Sequence, residues 1–248
     1  MGMTELKLEG VHHISCITAD ATANVEFYAG VMGMRLVKKT VNQDDPSVYH
    51  LFFGDEKGTP GFDLTFFEYP GARKGRAGAG MVHRILWRVG SGEALDYWEK
   101  RLADNSIGTE RTPDGLLFAD PEGLHHELLV YGGTDERLVP GHIEVPPEFA
   151  LQGFHGARAY SASPQVTAQV LEEIMGFTPS EPGEWVLEGD QRSGVYYLDP
   201  APEERGIPSA GTVHHIAWAS TLEQHDDWQR RVTEAGLHAT PVIALLVS

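Results

Sequence analysis

Two identical His-His-Ile tripeptides are the part of this sequence whose residue types and spacing best suit chemistry. They occupy positions 12–14 and 214–216, near the two ends of the chain. A lone buried histidine is more often a hydrogen-bonded core residue than a ligand. Neutral imidazole is nevertheless the commonest protein ligand for metals, and the same tripeptide occurs in two distant segments. The repetition therefore predicts a metal site assembled from both ends of the chain.

Strand geometry limits which histidines can reach such a site. Successive side chains of a β-strand point to opposite faces of its sheet. We therefore expect one of His12 and His13 to enter the site, and one of His214 and His215, while the other lies beneath a helix. A slip of one residue in register would reverse both choices.

The tripeptides open two of four similar segments. These segments start GVHHISCITAD at Gly10, MVHRILWRVGS at Met81, GFHGARAYSAS at Gly153 and TVHHIAWASTL at Thr212. Each opening has the β-branched and aromatic composition of a strand, and apolar residues at helical spacing follow it. Further strands are predicted at 34–41, 48–54, 62–69, 108–112, 115–120, 124–131, 184–188 and 193–198. The pattern predicts an α+β fold of four βαβββ modules, with Asp20 capping the first helix.

The modules are predicted to fall into two halves. Residues 1–138 hold the first two, at about 10–72 and 80–135, and the Pro- and Glu-rich stretch 139–150 is predicted to be a linker. Residues 151–248 hold the third module and an incomplete fourth. By analogy with the other modules, two strands are missing after Val242. A natural truncation, a frameshift and a fragment would all give this sequence.

Charge and composition narrow the classes of partner. Acidic residues outnumber basic ones by 36 to 19, giving a formal net charge of -17 that disfavours nucleic acid and anionic membranes. The basic cluster at Arg73, Lys74 and Arg76 is too short to reverse this, and we interpret it as a solvated loop. A single cysteine, no apolar run of membrane-spanning length and no secretory signal predict a soluble cytoplasmic protein.

The four modules, the HHI openings and the closing pattern DPEGLHHELLV resemble the vicinal oxygen chelate superfamily, which includes glyoxalase I, bleomycin-resistance proteins and extradiol dioxygenases. Residues 36–80 resemble, more specifically, the ring-cleaving dioxygenases associated with hydroquinone-type substrates. The resemblance implies a metal in a cup between two modules, with ligands from the first and last strands. It favours His13 and His215 as metal ligands, and leaves His12 and His214 as packing or supporting residues.

The other positions at which the resemblance implies metal ligands depart from the residue types expected there. Modules two and three carry Arg84 and Gly156 at the first-strand position, and we interpret the adjacent His83 and His155 as core residues. Glu127, at the last-strand position of module two, is the candidate for a substitute ligand, although an ion pair with Arg84 is favoured. The resemblance implies a third ligand, a Glu, from the strands missing in module four. Because the intact histidines lie in modules one and four, we predict that these two share one cup.

Two histidines and a carboxylate on one face of a metal suit Fe(II) and O2 chemistry. The resemblance implies a ring-cleaving dioxygenase of aromatic compound degradation, with a hydroquinone- or catechol-like substrate and O2 as its partners. Mn, Ni and Zn are alternative metals, and self-association is left open. Tyr49 and His50 are candidates for moving protons. The alternatives are a glyoxalase-like isomerase or lyase and a non-catalytic small-molecule-binding protein. Because the third ligand is missing, an inactive form of the dioxygenase is a further alternative.

Overall fold

The computed structural model describes residues 6–41 and 48–242. Module one contains β1 (Val11–Thr18), α1 (Ala21–Val25, continued by a π-helical turn Glu26–Val31), β2 (Arg35–Val41), β3 (Tyr49–Gly54) and β4 (Asp63–Glu68). Module two contains β5 (Val82–Val89), α2 (Gly92–Asp104), β6 (Thr109–Arg111), β7 (Gly115–Ala119) and β8 (His125–Val130).

Modules three and four follow the same order as far as the structure describes them. Module three contains β9 (Phe154–Ser161), α3 (Pro164–Gln169, continued by a π-helical turn Val170–Ile174), β10 (Thr178–Pro179), β11 (Glu184–Glu188) and β12 (Ser193–Pro200). Module four contains β13 (Thr212–Trp218), a 3-10 turn (Leu222–Gln224) and α4 (His225–Glu234). Residues 237–242 form no strand, and residues 243–248 lie outside the described ranges. The predicted α+β fold of βαβββ modules is confirmed.

The described strands form two sheets, and their order decides which modules meet. One sheet has the order β13-β1-β4-β3-β2, and the other has the order β10-β11-β12-β9-β5-β8-β7-β6. β1 pairs antiparallel with β13, while β5 pairs antiparallel with β9. The prediction that modules one and four share one cup, leaving modules two and three to share another, is confirmed. The two HHI segments are therefore neighbours in space.

The first helix packs against the first sheet. Asp20 caps α1 as predicted, since its carboxylate accepts from the backbone N–H groups of Thr22 and Ala23 at 2.9 and 3.0 Å. The π-helical turn that follows buries Phe27 and Tyr28 against the first sheet. No helix within the described ranges is long and apolar enough to cross a membrane.

A buried hydrogen-bond network joins modules one and two. The Tyr28 hydroxyl donates to Asp120 at 2.9 Å and lies 2.9 Å from Nε2 of His126. The indole N–H of Trp87 donates to Nδ1 of His126 at 3.1 Å. Burial lowers the pKa of His126 to about 3, so the ring is neutral and its one proton is on Nε2, where it donates to Tyr28. Every polar atom of this network therefore has a partner.

Tyr28→Phe is expected to lower the free energy of unfolding by about 1–3 kcal/mol, because it leaves Nε2 of His126 and Oδ2 of Asp120 without their buried hydrogen-bond partner. Tyr97→Phe is the matched control, since the Tyr97 hydroxyl donates to the Glu144 carbonyl at an exposed site. We expect the control to change stability by less than about 0.5 kcal/mol. Urea denaturation followed by tryptophan fluorescence measures both, and equal losses would contradict the role of the network.

Candidate metal centre

His13 and His215 face each other across β1 and β13. Their Nε2 atoms are 3.0 Å apart and their ring planes are inclined by 82°. Two nitrogens bound at about 2.1 Å and at right angles to one metal would lie about 3.0 Å apart. The pair therefore has the spacing of two adjacent ligands of one ion. The same distance also permits an N–H···N hydrogen bond between two neutral rings.

The neighbouring histidines do not lie on the far side of the sheet, and the expectation that one ring of each pair is separated from the other is wrong. The Nδ1 atoms of His12 and His13 are 3.0 Å apart, and those of His214 and His215 are 2.9 Å apart. The pairing of β1 with β13 is irregular at both places, between Val11 and His13 and between Ser15 and Cys16. His12 and His214 are the extra residues of these β-bulges, which disturb the usual alternation of side chains and re-aim them.

The protonation of the pair favours metal binding. Burial, followed by the proximity of His12, His215 and His50, lowers the pKa of His13 to about 4. Burial and then His214 lower the pKa of His215. Both rings are therefore neutral at pH 7, and neutral imidazole is the form whose lone pair binds a metal.

His50 shares the cup with the histidine pair. Its ring packs against Phe52 and stacks on Phe67, with ring centroids 4.1 and 4.2 Å away. Burial, and then His215, lower its pKa to about 4. Its Nε2 is buried and has no hydrogen-bond partner within the described ranges. The sequence analysis missed this aromatic clamp, although the spacing of two residues between His50 and Phe52 places both on one face of β3.

Tyr49 is not brought to the pair. It lies one residue from His50, so its side chain points to the other face of the sheet, where it is exposed beneath the Lys39 ammonium at 4.2 Å from the ring centroid. The structure therefore separates the two residues that were predicted together as proton carriers.

The second cup lies between modules two and three, where other residues replace the expected metal ligands. Arg84 donates to Glu127 at 2.9 Å, which confirms the predicted ion pair. Glu127 is thus engaged on β8 in the other sheet, and the structure does not bring it to the histidine pair as a substitute ligand. His83 lies 2.7 Å from Asp199, in agreement with its interpretation as a hydrogen-bonded residue. His155 is partly buried, and desolvation lowers its pKa to about 4.

The nitrogen donors of the first cup match part of the ligand set of a divalent metal. His13 and His215 supply two neutral nitrogens at the spacing of adjacent ligands. No cluster of three or more His, Cys, Asp or Glu side chains that could hold a metal occurs among residues 6–41 and 48–242. Among the described residues, this histidine pair is therefore the candidate for two ligands of such a site.

Comparison with known proteins decides the family. The profile of the "Glyoxalase/Bleomycin resistance protein/Dioxygenase superfamily" matches residues 10–128. "Putative ring-cleaving dioxygenase MhqO" of Bacillus subtilis is 43% identical over 244 residues, which are 95% of this chain and 78% of that protein. The chain belongs to the glyoxalase/bleomycin resistance protein/dioxygenase superfamily. The resemblance found in the sequence is thereby confirmed.

Further members of the superfamily extend the comparison. "Chlorohydroquinone/hydroquinone 1,2-dioxygenase" of Sphingobium indicum is 32% identical over 238 residues, covering 86% of this chain and 70% of that protein. The crystal structure of a "putative dioxygenase" from Bacillus subtilis has a TM-score of 0.87 and 41% identity, covering 96% of this chain and 79% of that one. Glyoxalase I from Zea mays, with a TM-score of 0.62, 14% identity and coverage of 92% and 81%, shares the fold.

Proposed function

We propose that this chain is a ring-cleaving dioxygenase that acts on a dihydroxylated aromatic ring, of the hydroquinone or catechol type, with Fe(II) as its metal. The observation that carries the proposal is the 3.0 Å separation of the Nε2 atoms of His13 and His215 in a neutral pair. The superfamily relative named as a hydroquinone 1,2-dioxygenase supports the substrate class. Bound Fe(II) supplies an electron-transfer centre and a Lewis acid for the aromatic substrate and O2.

The outer histidines orient the inner ones. When Nε2 of His13 gives its lone pair to the metal, the ring carries its proton on Nδ1 and donates it to Nδ1 of His12. His215 donates in the same way to His214. Such partners fix the tautomer and the rotation of a ligand ring, which keeps both Nε2 atoms aimed at one point. The two bulges serve this arrangement, because they bring the supporting ring beside its ligand.

His50 and its aromatic clamp form the substrate side of the cup. Phe52 and Phe67 both contact the imidazole, which restricts its orientation before a substrate arrives. Its Nε2, which has no partner among residues 6–41 and 48–242, can accept a hydrogen bond from a substrate hydroxyl, and its low pKa keeps the ring neutral for that role. The same two phenyl rings keep water from this wall of the cup.

Oxygen uptake tests the proposal. The full chain, loaded anaerobically with Fe(II), is mixed with hydroquinone, chlorohydroquinone or catechol in air-saturated buffer. We expect O2 to be consumed one for one with the loss of the aromatic ultraviolet band, and the metal-free chain to show neither change. Turnover of a glyoxalase substrate without O2 would favour the isomerase, and substrate binding by iron-loaded protein without O2 uptake would favour a binding protein. Either result contradicts the proposed dioxygenase.

A further inference from the structure

A cavity of about 640 Å³ lies on the second sheet, beneath the loops that connect the two sheets. Apart from Tyr160, its titratable lining side chains are basic or imidazole groups: Lys74, Arg76, His83, Arg84 and His125. None of the described residues that line it is Asp or Glu. Such a lining is opposite in sign to the net charge of -17 on the chain.

Two carboxylates next to this cavity, those of Glu127 and Asp199, are already engaged. Glu127 accepts from Arg84 at 2.9 Å. Asp199 accepts two hydrogen bonds from Arg158, at 2.8 and 2.7 Å, and lies 2.7 Å from His83. These ion pairs neutralise charge on the walls of the cavity but leave the positive charges of Lys74 and Arg76 at its rim.

The rim carries positive charge without a counter-ion. Lys74 and Arg76 form no ion pair with any residue that the structure describes. Nε of Arg84 is buried and has no hydrogen-bond partner in the same ranges. Burial is the main cause that lowers the pKa of His125, and the nearby positive charges of Arg84 and Lys74 lower it further. The cavity therefore has donors and charge to offer an incoming anion.

The loop that carries the rim is held in place, although the sequence pattern indicated only a solvated loop. Gly75 N–H donates to the Ala210 carbonyl at 2.7 Å, and the backbones of Arg76 and Ile207 exchange hydrogen bonds at 3.0 and 2.7 Å. Lys74 and Arg76 consequently stand on a fixed backbone at the mouth of the cavity. A fixed backbone lowers the entropic cost of binding a ligand.

We propose that this cavity is a binding site for a small molecule with a carboxylate or phosphate group, separate from the histidine pair of the first cup. Lys74 and Arg76 provide the charge-assisted hydrogen bonds for the anionic group. Apolar and aromatic lining residues provide space for an organic body: Val82, Leu124, Tyr160 and Ile207. Tyr160 stacks on His83 at 3.9 Å between ring centroids and presents a flat wall. A volume of this size is typical of small-molecule sites.

Calorimetric titration of the metal-free full chain tests the site without any contribution from bound metal. The probes are benzoate, inorganic phosphate and benzyl alcohol, the last being an uncharged relative of benzoate. We expect at least one anion to bind at low ionic strength, and benzyl alcohol not to bind. Tighter binding of benzoate assigns the site to organic carboxylates, whereas tighter binding of phosphate assigns it to phosphoryl compounds.

Charge-matched variants locate the binding. Lys74→Gln with Arg76→Gln is expected to raise the Kd of the anion about tenfold or more. The control, Lys57→Gln with Arg73→Gln, removes the same charge from exposed positions that do not line the cavity, and we expect less than about a twofold change. Absence of binding by both anions, or equal weakening in the two double variants, would overturn the proposal.

Discussion

Replacing either His13 or His215 by alanine is expected to abolish tight divalent-metal binding, with a loss of affinity of at least about 100-fold. Each imidazole supplies one of the two nitrogens that stand 3.0 Å apart, and a single remaining ligand cannot hold a metal in the cup. The loss of any O2-dependent ring cleavage should follow. Competition against a chromophoric chelator measures the affinity for Mn(II) or Fe(II), and an oxygen electrode measures the activity.

His83→Gln is the matched control for these two variants. His83 precedes the equivalent ligand position in β5, but it lies in the second cup and is hydrogen-bonded to Asp199. Glutamine can keep a hydrogen bond to that carboxylate, so metal affinity and folding should both be unchanged. Circular dichroism verifies that the alanine variants remain folded. Retention of wild-type metal affinity by His13→Ala and His215→Ala would remove the basis of the proposed function.

Gly156→Ala is expected to destabilise the protein by about 3 kcal/mol. Gly156 occupies the position in module three where modules one and four carry His13 and His215. A Cβ at this glycine would lie 1.8 Å from the carbonyl oxygen of Val195, on the adjacent strand β12. The obstacle is backbone and cannot rotate away like a side chain, so two paired strands would have to separate.

Gly92→Ala is the control for backbone entropy. Gly92 is the first residue of α2, and a Cβ there would meet nothing within 4 Å. This change should raise stability by about 0.4–1 kcal/mol, because alanine restricts the unfolded chain. Thermal and urea unfolding of both variants give the comparison. A Gly156→Ala protein as stable as the wild type would show that β9 and β12 can move apart at little cost. The close approach at Gly156 also explains why module three presents no ligand side chain there.

The local periodicity of the sequence was enough to define the modules. β11 was predicted at 184–188 and is observed at Glu184–Glu188, and the capping role of Asp20 was also predicted correctly. Strand alternation, helical spacing and capping depend on residues within a few positions of each other, so one segment contains the whole signal. The two-residue strand β10 at Thr178–Pro179 escaped prediction because so short a stretch carries no periodicity.

The repeat of HHI also identified which modules pair, since only modules one and four keep a histidine at the ligand position. The sequence by itself therefore determined the family, the α+β modules and the meeting of His13 with His215. Its rule of strand alternation failed at His12 and His214, where the bulges arise from the register between β1 and β13. That register is set by strands from opposite ends of the chain, and no local pattern encodes it.

Tertiary structure alone decided what surrounds these histidines. His50 gained its aromatic clamp when β3 and β4 aligned His50 with Phe67, and Tyr49 was turned to the opposite face. The basic loop became the rim of a cavity when Arg76 paired with Ile207, far along the chain. Such contacts depend on how strands and loops distant in sequence come together in space. Residue types gave the chemistry that the chain can perform, and packing between modules decided which side chains share a site.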